Sequence, residues 1–120
     1  MYPIRYNKVM EIEIYETALG KRPFDIWLNK IKDKQTIGKI LTRLDRLEVG
    51  NMGDCKPLKD GIYELRIHYG AGIRVYYSKI KNKVLLLLCG GTKGSQTKDM
   101  KKAKEFLQDY KNRGVKYGKK

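Results

Sequence analysis

Residues Tyr63 to Tyr77 read YELRIHYGAGIRVYY. On both sides of a glycine turn every second residue is apolar or aromatic, which predicts two adjacent antiparallel strands. Tyr63, Leu65, Ile67 and Tyr69 share one face of the first; Ile73, Val75 and Tyr77 share one face of the second. Both sets must look at the same core. Opposing Tyr69 to Ile73, Ile67 to Val75 and Leu65 to Tyr77 leaves a three-residue loop, Gly70-Ala71-Gly72, with Gly72 free to turn left-handed. The other face then gathers Glu64, Arg66, His68, Arg74 and Tyr76, with His68 opposite Arg74 and Arg66 opposite Tyr76. Opposed Cβ atoms lie about 4.5–5.5 Å apart, so these groups form one cluster. Arg74 beside His68 favours a neutral imidazole able to accept a proton near pH 7. A half-exposed sheet face with polar cross-strand pairs is the plain alternative, although stability alone does not choose His68 opposite an arginine.

Working outward, a third strand follows at Lys83–Cys89, KVLLLLC, apolar on both faces and so suited to a covered, central place. Lys81-Asn82 is turn material. Upstream, VMEIEIYE alternates and reads as a strand over Val9–Glu16. Pro23 suits the first turn of a helix whose stripe is Phe24, Trp27, Leu28 and Ile31. Asp33 can cap a second helix with stripe Ile37, Ile40, Leu41, Leu44 and Leu47, stopped by Gly50, its outer face carrying Lys39, Arg43 and Arg46. The stretch NMGDCKPLKD reads as a loop. A last helix, capped by Thr97 or Asp99, turns Met100, Ala103, Leu107 and Tyr110 inward. The expected order is βααβββα, an α+β domain over residues 1–110, with 111–120 as a basic, flexible tail.

The chain has 120 residues, enough for one domain with its own core. Lysine and arginine number 27 against 13 acidic residues, a formal net charge of +14. That excess favours a polyanionic partner, nucleic acid first and an acidic protein second. Cys55 and Cys89 form no CxxC pattern, and with His68 as the single histidine they do not complete a zinc site, so no metal or other cofactor is expected. Charges interrupt every early apolar run, and Val84–Cys89 is too short to cross a bilayer, which predicts a reducing, cytoplasmic setting and no membrane partner.

The segments GNMGDCKPLKDGIYELRIHYGAGIRVYY and LLCGGTKGSQTKDM, in that order and spacing, resemble the HigB-like branch of the RelE/ParE toxin superfamily, and the likeness runs roughly from Phe24 to Tyr110. The resemblance implies helices packed on a small antiparallel-rich sheet. It implies the toxin of a type II toxin–antitoxin module, a metal-independent endoribonuclease that cuts mRNA on translating ribosomes and arrests growth. It also implies a cognate antitoxin, commonly of helix-turn-helix type, in a hetero-oligomer. ParE-like relatives inhibit DNA gyrase instead, and a degenerate toxin would only bind its antitoxin. By the same resemblance Arg74, Arg66 and Lys93 match functional basic positions, while the tyrosine of the RelE-like final helix falls near Met100.

Metal-free RNA cleavage needs a base for the 2′-hydroxyl, cations for the phosphorane and an acid for the leaving oxygen. Guanidinium does not deprotonate in proteins, so Arg66 and Arg74 suit the phosphate. His68 leads as base or acid, with Glu64 second. Lys56 and Lys59 are placed for RNA backbone contacts, and Tyr76 for stacking or donating to a base. Each has a bland alternative: a solvated loop for the lysines and edge filling for Tyr76.

Overall fold

The computed structural model describes the backbone of residues 9–117 and side chains as far as residue 114. Strand β1 (Glu11–Ile14) leads into helices α1 (Pro23–Lys30) and α2 (Lys34–Glu48). Four strands follow: β2 (Cys55–Pro57), β3 (Ile62–Ile67), β4 (Ile73–Ile80) and β5 (Val84–Thr92). A 3-10 turn over Lys93–Ser95 opens into helix α3 (Gln96–Tyr117). The sheet order is β1-β5-β4-β3-β2, with β1 parallel to β5 and every other pair antiparallel. This is the α+β architecture that the residue pattern predicts, and it is compatible with a RelE-like fold.

The sheet has a core on each face. Toward α1 and α2 lie Phe24, Ile40, Leu44, Leu47, Leu65, Ile67, Val75, Tyr77, Leu85 and Leu87. Toward α3 lie Tyr15, Ile62, Tyr76, Leu86, Leu88, Cys89, Ala103 and Leu107. β5 is covered on both sides, as its unbroken leucines require. Its register against β4 shifts between Tyr76 and Tyr77, so Leu88 and Cys89 both fall on the α3 side.

The helix signals hold. Pro23 occupies the first turn of α1. Asp33 caps α2, accepting from the Gln35 amide at 3.2 Å. Gly50, at φ 86°, lies just beyond the α2 C-terminus.

Four details depart from the sequence reading. The NMGDCKPLKD loop contains the edge strand β2, because Cys55–Pro57 pairs with Tyr63–Leu65. The β3–β4 loop spans five residues, 68–72, rather than three, since Ile67 opposes Ile73 and Leu65 opposes Val75. Tyr69 leaves the sheet to donate to Gln35 Oε1 at 2.7 Å, while Gly70 and Gly72 take φ of 57° and 82°. Thr92, not Thr97 or Asp99, makes the capping box that leads into α3. Finally, α3 runs through residues 111–117, where a tail is expected; residues 118–120 lie outside the described residues. Arg113 anchors this end through Asp109 and the Glu16 carbonyl.

Candidate functional site

A two-residue change of register keeps every side chain on its face but changes its partner. Arg66 therefore opposes Arg74, and Glu64 opposes Tyr76. His68 is not opposite Arg74; it belongs to the loop and its side chain is 70% exposed. The cation expected to hold its imidazole neutral is replaced by a carboxylate, Asp54.

Two arginines facing each other across a ladder repel unless each is offset. Here each has its own carboxylate. Arg66 donates from Nε and Nη2 to Asp54 Oδ1 at 3.1 and 2.8 Å. The other Asp54 oxygen lies 2.6 Å from His68 Nε2. Hydrogen bonds from Arg66 first, and then from His68, hold the Asp54 carboxyl below its usual range. Asp54 is itself positioned from α2: Arg43 donates to the carbonyls of Arg66 at 2.7 Å and of Met52 and Asp54 at 3.3 Å.

Arg74 lies deeper. Its side chain is 8% exposed, and its Nε sits 3.8 Å from Oε2 of Glu64, which is 1% exposed. Glu64 is fixed by Gln96 at the start of α3, whose Nε2 donates to Oε2 at 2.6 Å. Arg74 Nη1 reaches the Ile73 carbonyl at 3.3 Å. Its Nε and the Tyr76 hydroxyl are both buried with no hydrogen-bond partner among the described residues. Buried donors left this way are uncommon, and strain, a catalytic role or an ordered water or ion accounts for them; the Tyr77 hydroxyl, on the opposite face, is another. Burial, with the charges of Glu64 and Asp99, pushes the Tyr76 phenol far up, so it stays a neutral O–H.

The third strand completes the wall. Gly91 opposes Arg74, and a Cβ there would collide with the Asp99 carboxylate and the Ser95 hydroxyl, so glycine leaves room for those side chains against the strand. Asp99 accepts from the Ser95 hydroxyl inside the turn. Lys93 is exposed; its amide donates to the Gly72 carbonyl at 2.8 Å, which brings it beside the tip of Arg74. Burial, then the Asp99 charge, pushes the Cys89 thiol up to about 12, making it inert.

The structure thus brings Glu64, Arg66, Arg74, Tyr76 and Lys93 to the α3 side of one sheet end, and ties His68 to Arg66 through Asp54. Lys56, opposite Glu64 in register, shares that face and is exposed. Lys59 is exposed in the following turn. Tyr76 has no free ring face, being fully buried. Asp54 and Arg43 are missed by pattern reading, since they come from a loop and from a helix's outer face. Gln96 stands in the stretch that carries the resemblance, but nothing in its spacing points to Glu64.

The family profile described as phage derived protein Gp49-like (DUF891) matches residues 26–111. An uncharacterized protein of Haemophilus influenzae is 48% identical over 86 residues, which cover 72% of this chain and 87% of that protein. The chain belongs to the Gp49-like, phage-derived family. That family is associated with toxin–antitoxin systems and related to RelE-like toxins.

Proposed function

We propose that this protein is the toxin of a type II toxin–antitoxin module, HigB-like in its branch, and a metal-independent endoribonuclease that cuts mRNA on translating ribosomes in the cytoplasm and arrests growth. The observation that carries this reading is the buried Arg74 guanidinium with an unspent donor, set beside exposed Lys93 and opposite Arg66. Three cations around one sheet end suit a phosphodiester.

The chemistry follows from the groups. A base removes the 2′-hydroxyl proton; the freed oxygen attacks the adjacent phosphorus; the P–O5′ bond breaks as an acid returns a proton to the leaving oxygen, giving a 2′,3′-cyclic phosphate and a 5′-hydroxyl. Arg74, Arg66 and Lys93 stabilise the extra negative charge on the phosphorane. Removing one such donor costs about 10²–10³ in rate. His68, held at Nε2 by Asp54, leaves Nδ1 for proton exchange with substrate and contributes about 10²–10⁴. Glu64 is bound to Gln96 and sits beside Arg74, an arrangement that suits orienting the guanidinium. Lys56 and Lys59 extend the positive surface toward RNA. A helix-turn-helix antitoxin is the partner that would silence the toxin.

The test is induction of wild type, Arg74→Ala and Lys93→Ala in parallel, with transcript ends mapped by sequencing. New ends within coding regions, lost in Arg74→Ala and reduced in Lys93→Ala, are expected. Intact transcripts in arrested cells would reject the nuclease and direct attention to gyrase, read as altered plasmid supercoiling. Growth without arrest would mark a protein that only binds its antitoxin.

A further inference from the structure

A second positively charged feature lies on the opposite side of the hairpin end, on the outer face of α2. Gln35, Gly38, Lys39, Thr42 and Arg46 recur at helical spacing, and with Ile67 they line an open cleft of about 640 Å³. The buried residues of the same helix, Thr36, Ile40, Leu44 and Leu47, point elsewhere. The cleft face therefore takes no part in the core.

Three features of this face call for a ligand. Gly38 stands in the interior of a 15-residue helix, where glycine is the least favourable residue short of proline. No packing requires it, because a Cβ at Gly38 would meet nothing within 4 Å. What its absence does provide is close approach to the helix backbone from solvent. Next, the cations are held out but not neutralised. Lys39 Nζ stands 4.8 Å over the Tyr69 ring, and among the described residues neither Lys39 nor Arg46 forms an ion pair. Asp45, one residue before Arg46, projects about 100° round the helix from it, and Glu48 about 200°. Asp33, at the near end, is committed to the cap through Gln35 and Thr36. Finally, Thr42 and Gln35 add neutral polar groups between the cations, a mixture that suits phosphate oxygens and sugar hydroxyls.

We propose that this cleft binds the sugar–phosphate backbone of single-stranded RNA, two phosphates against Lys39 and Arg46 with the strand lying over Gly38. The inference rests on the RNA reading above and extends it: the cleft holds the strand and the sheet-end cations act on it. The two are physically continuous, because Arg43 on α2 bonds the Arg66 and Asp54 carbonyls directly.

The test is fluorescence anisotropy with a labelled 2′-O-methyl oligouridine, which binds but cannot be cut, over a range of salt concentrations. Lys39→Ala/Arg46→Ala should weaken binding roughly tenfold and make the plot of log affinity against log salt shallower by about 1.4, two phosphate contacts at 0.7 each. Lys39→Arg/Arg46→Lys keeps both charges and should retain the wild-type slope. Gly38→Leu should lower affinity without lowering the melting temperature. Unchanged affinity and slope in the double alanine variant overturns the proposal. Cleavage of mRNA on translating ribosomes separates the two claims. Binding through α2 with no cleavage removes the nuclease and leaves the cleft; wild-type cleavage with an unchanged slope removes the cleft and leaves the nuclease.

Discussion

Arg74 and Glu64 form the part of the site most sensitive to single substitutions. Replacing Glu64 with leucine leaves a guanidinium buried without its carboxylate, which should cost about 3–5 kcal/mol in a urea melt. Pairing it with Arg74→Met should recover most of that loss, because the buried charge is gone from both sides. Full additivity of the two losses would show that the residues do not interact. Gly91→Ala tests the packing of Asp99: a methyl group there collides with the Asp99 carboxylate and the Ser95 hydroxyl, which must move and disturb their hydrogen bond, for about 1–3 kcal/mol. The cysteines should differ in reactivity. Cys89, buried with its thiol raised to about 12, should resist a thiol reagent at pH 8 until unfolding, while half-buried Cys55 reacts first.

At the level of elements, α2 and α3 depend on their ends. Asp33→Ala removes the cap of α2 and should lower the melting temperature, with Asp33→Ser restoring most of it. In α3, Arg113 holds Asp109, which accepts from the Tyr15 hydroxyl at 2.6 Å. Arg113→Ala should raise amide hydrogen exchange over the last turns while the β3–β4 ladder stays protected. The same elements show where sequence reading succeeds. Period-2 alternation assigns the side chains of Tyr63–Ile67 and Ile73–Tyr77 to their correct faces, because faces depend only on parity, but it wrongly keeps His68 and Tyr69 in the sheet. It does not set the loop length. That was decided by Tyr69, whose hydroxyl finds Gln35 some 34 residues away in sequence, and no local pattern encodes such a pairing. The cluster was therefore legible as a group and illegible as a set of pairs. Asp54 could not be read at all, since its role depends on Arg43 reaching across from another helix.

The whole molecule should show a stability plateau with losses at both pH extremes. Asp33, Asp54 and Asp109 titrate below their ordinary value of 3.8 in the fold, so the stabilisation they supply is complete above about pH 5 and is lost progressively as the pH falls through and below 3.8. Tyr15 and Cys89 are raised to about 12, from 10.0 and 9.0, by burial first and by Asp109 and Asp99 next. Their folded forms keep protons that the unfolded chain gives up, so that stability is full below about pH 9 and drains as the pH rises toward 12. Urea midpoints across the range check both limbs; a flat alkaline limb would mean that these side chains are hydrated.

The net charge of +14 adds self-repulsion that salt relieves, so moderate salt should raise the melting temperature. No helix among the described residues is long and apolar enough to cross a membrane.

The parallel pairing of β1 with β5, and the seating of Gln96 on Glu64, impose an order on biosynthesis. The earliest strand must wait for residues 84–87, and the acid beside Arg74 stays unclamped until α3 has been made. A nascent chain halted between the hairpin and Gln96 carries the arginines but not the lid that organises them. Premature termination in that interval should yield a fragment without the assembled site, so the complete arrangement exists only once translation has passed through the third helix.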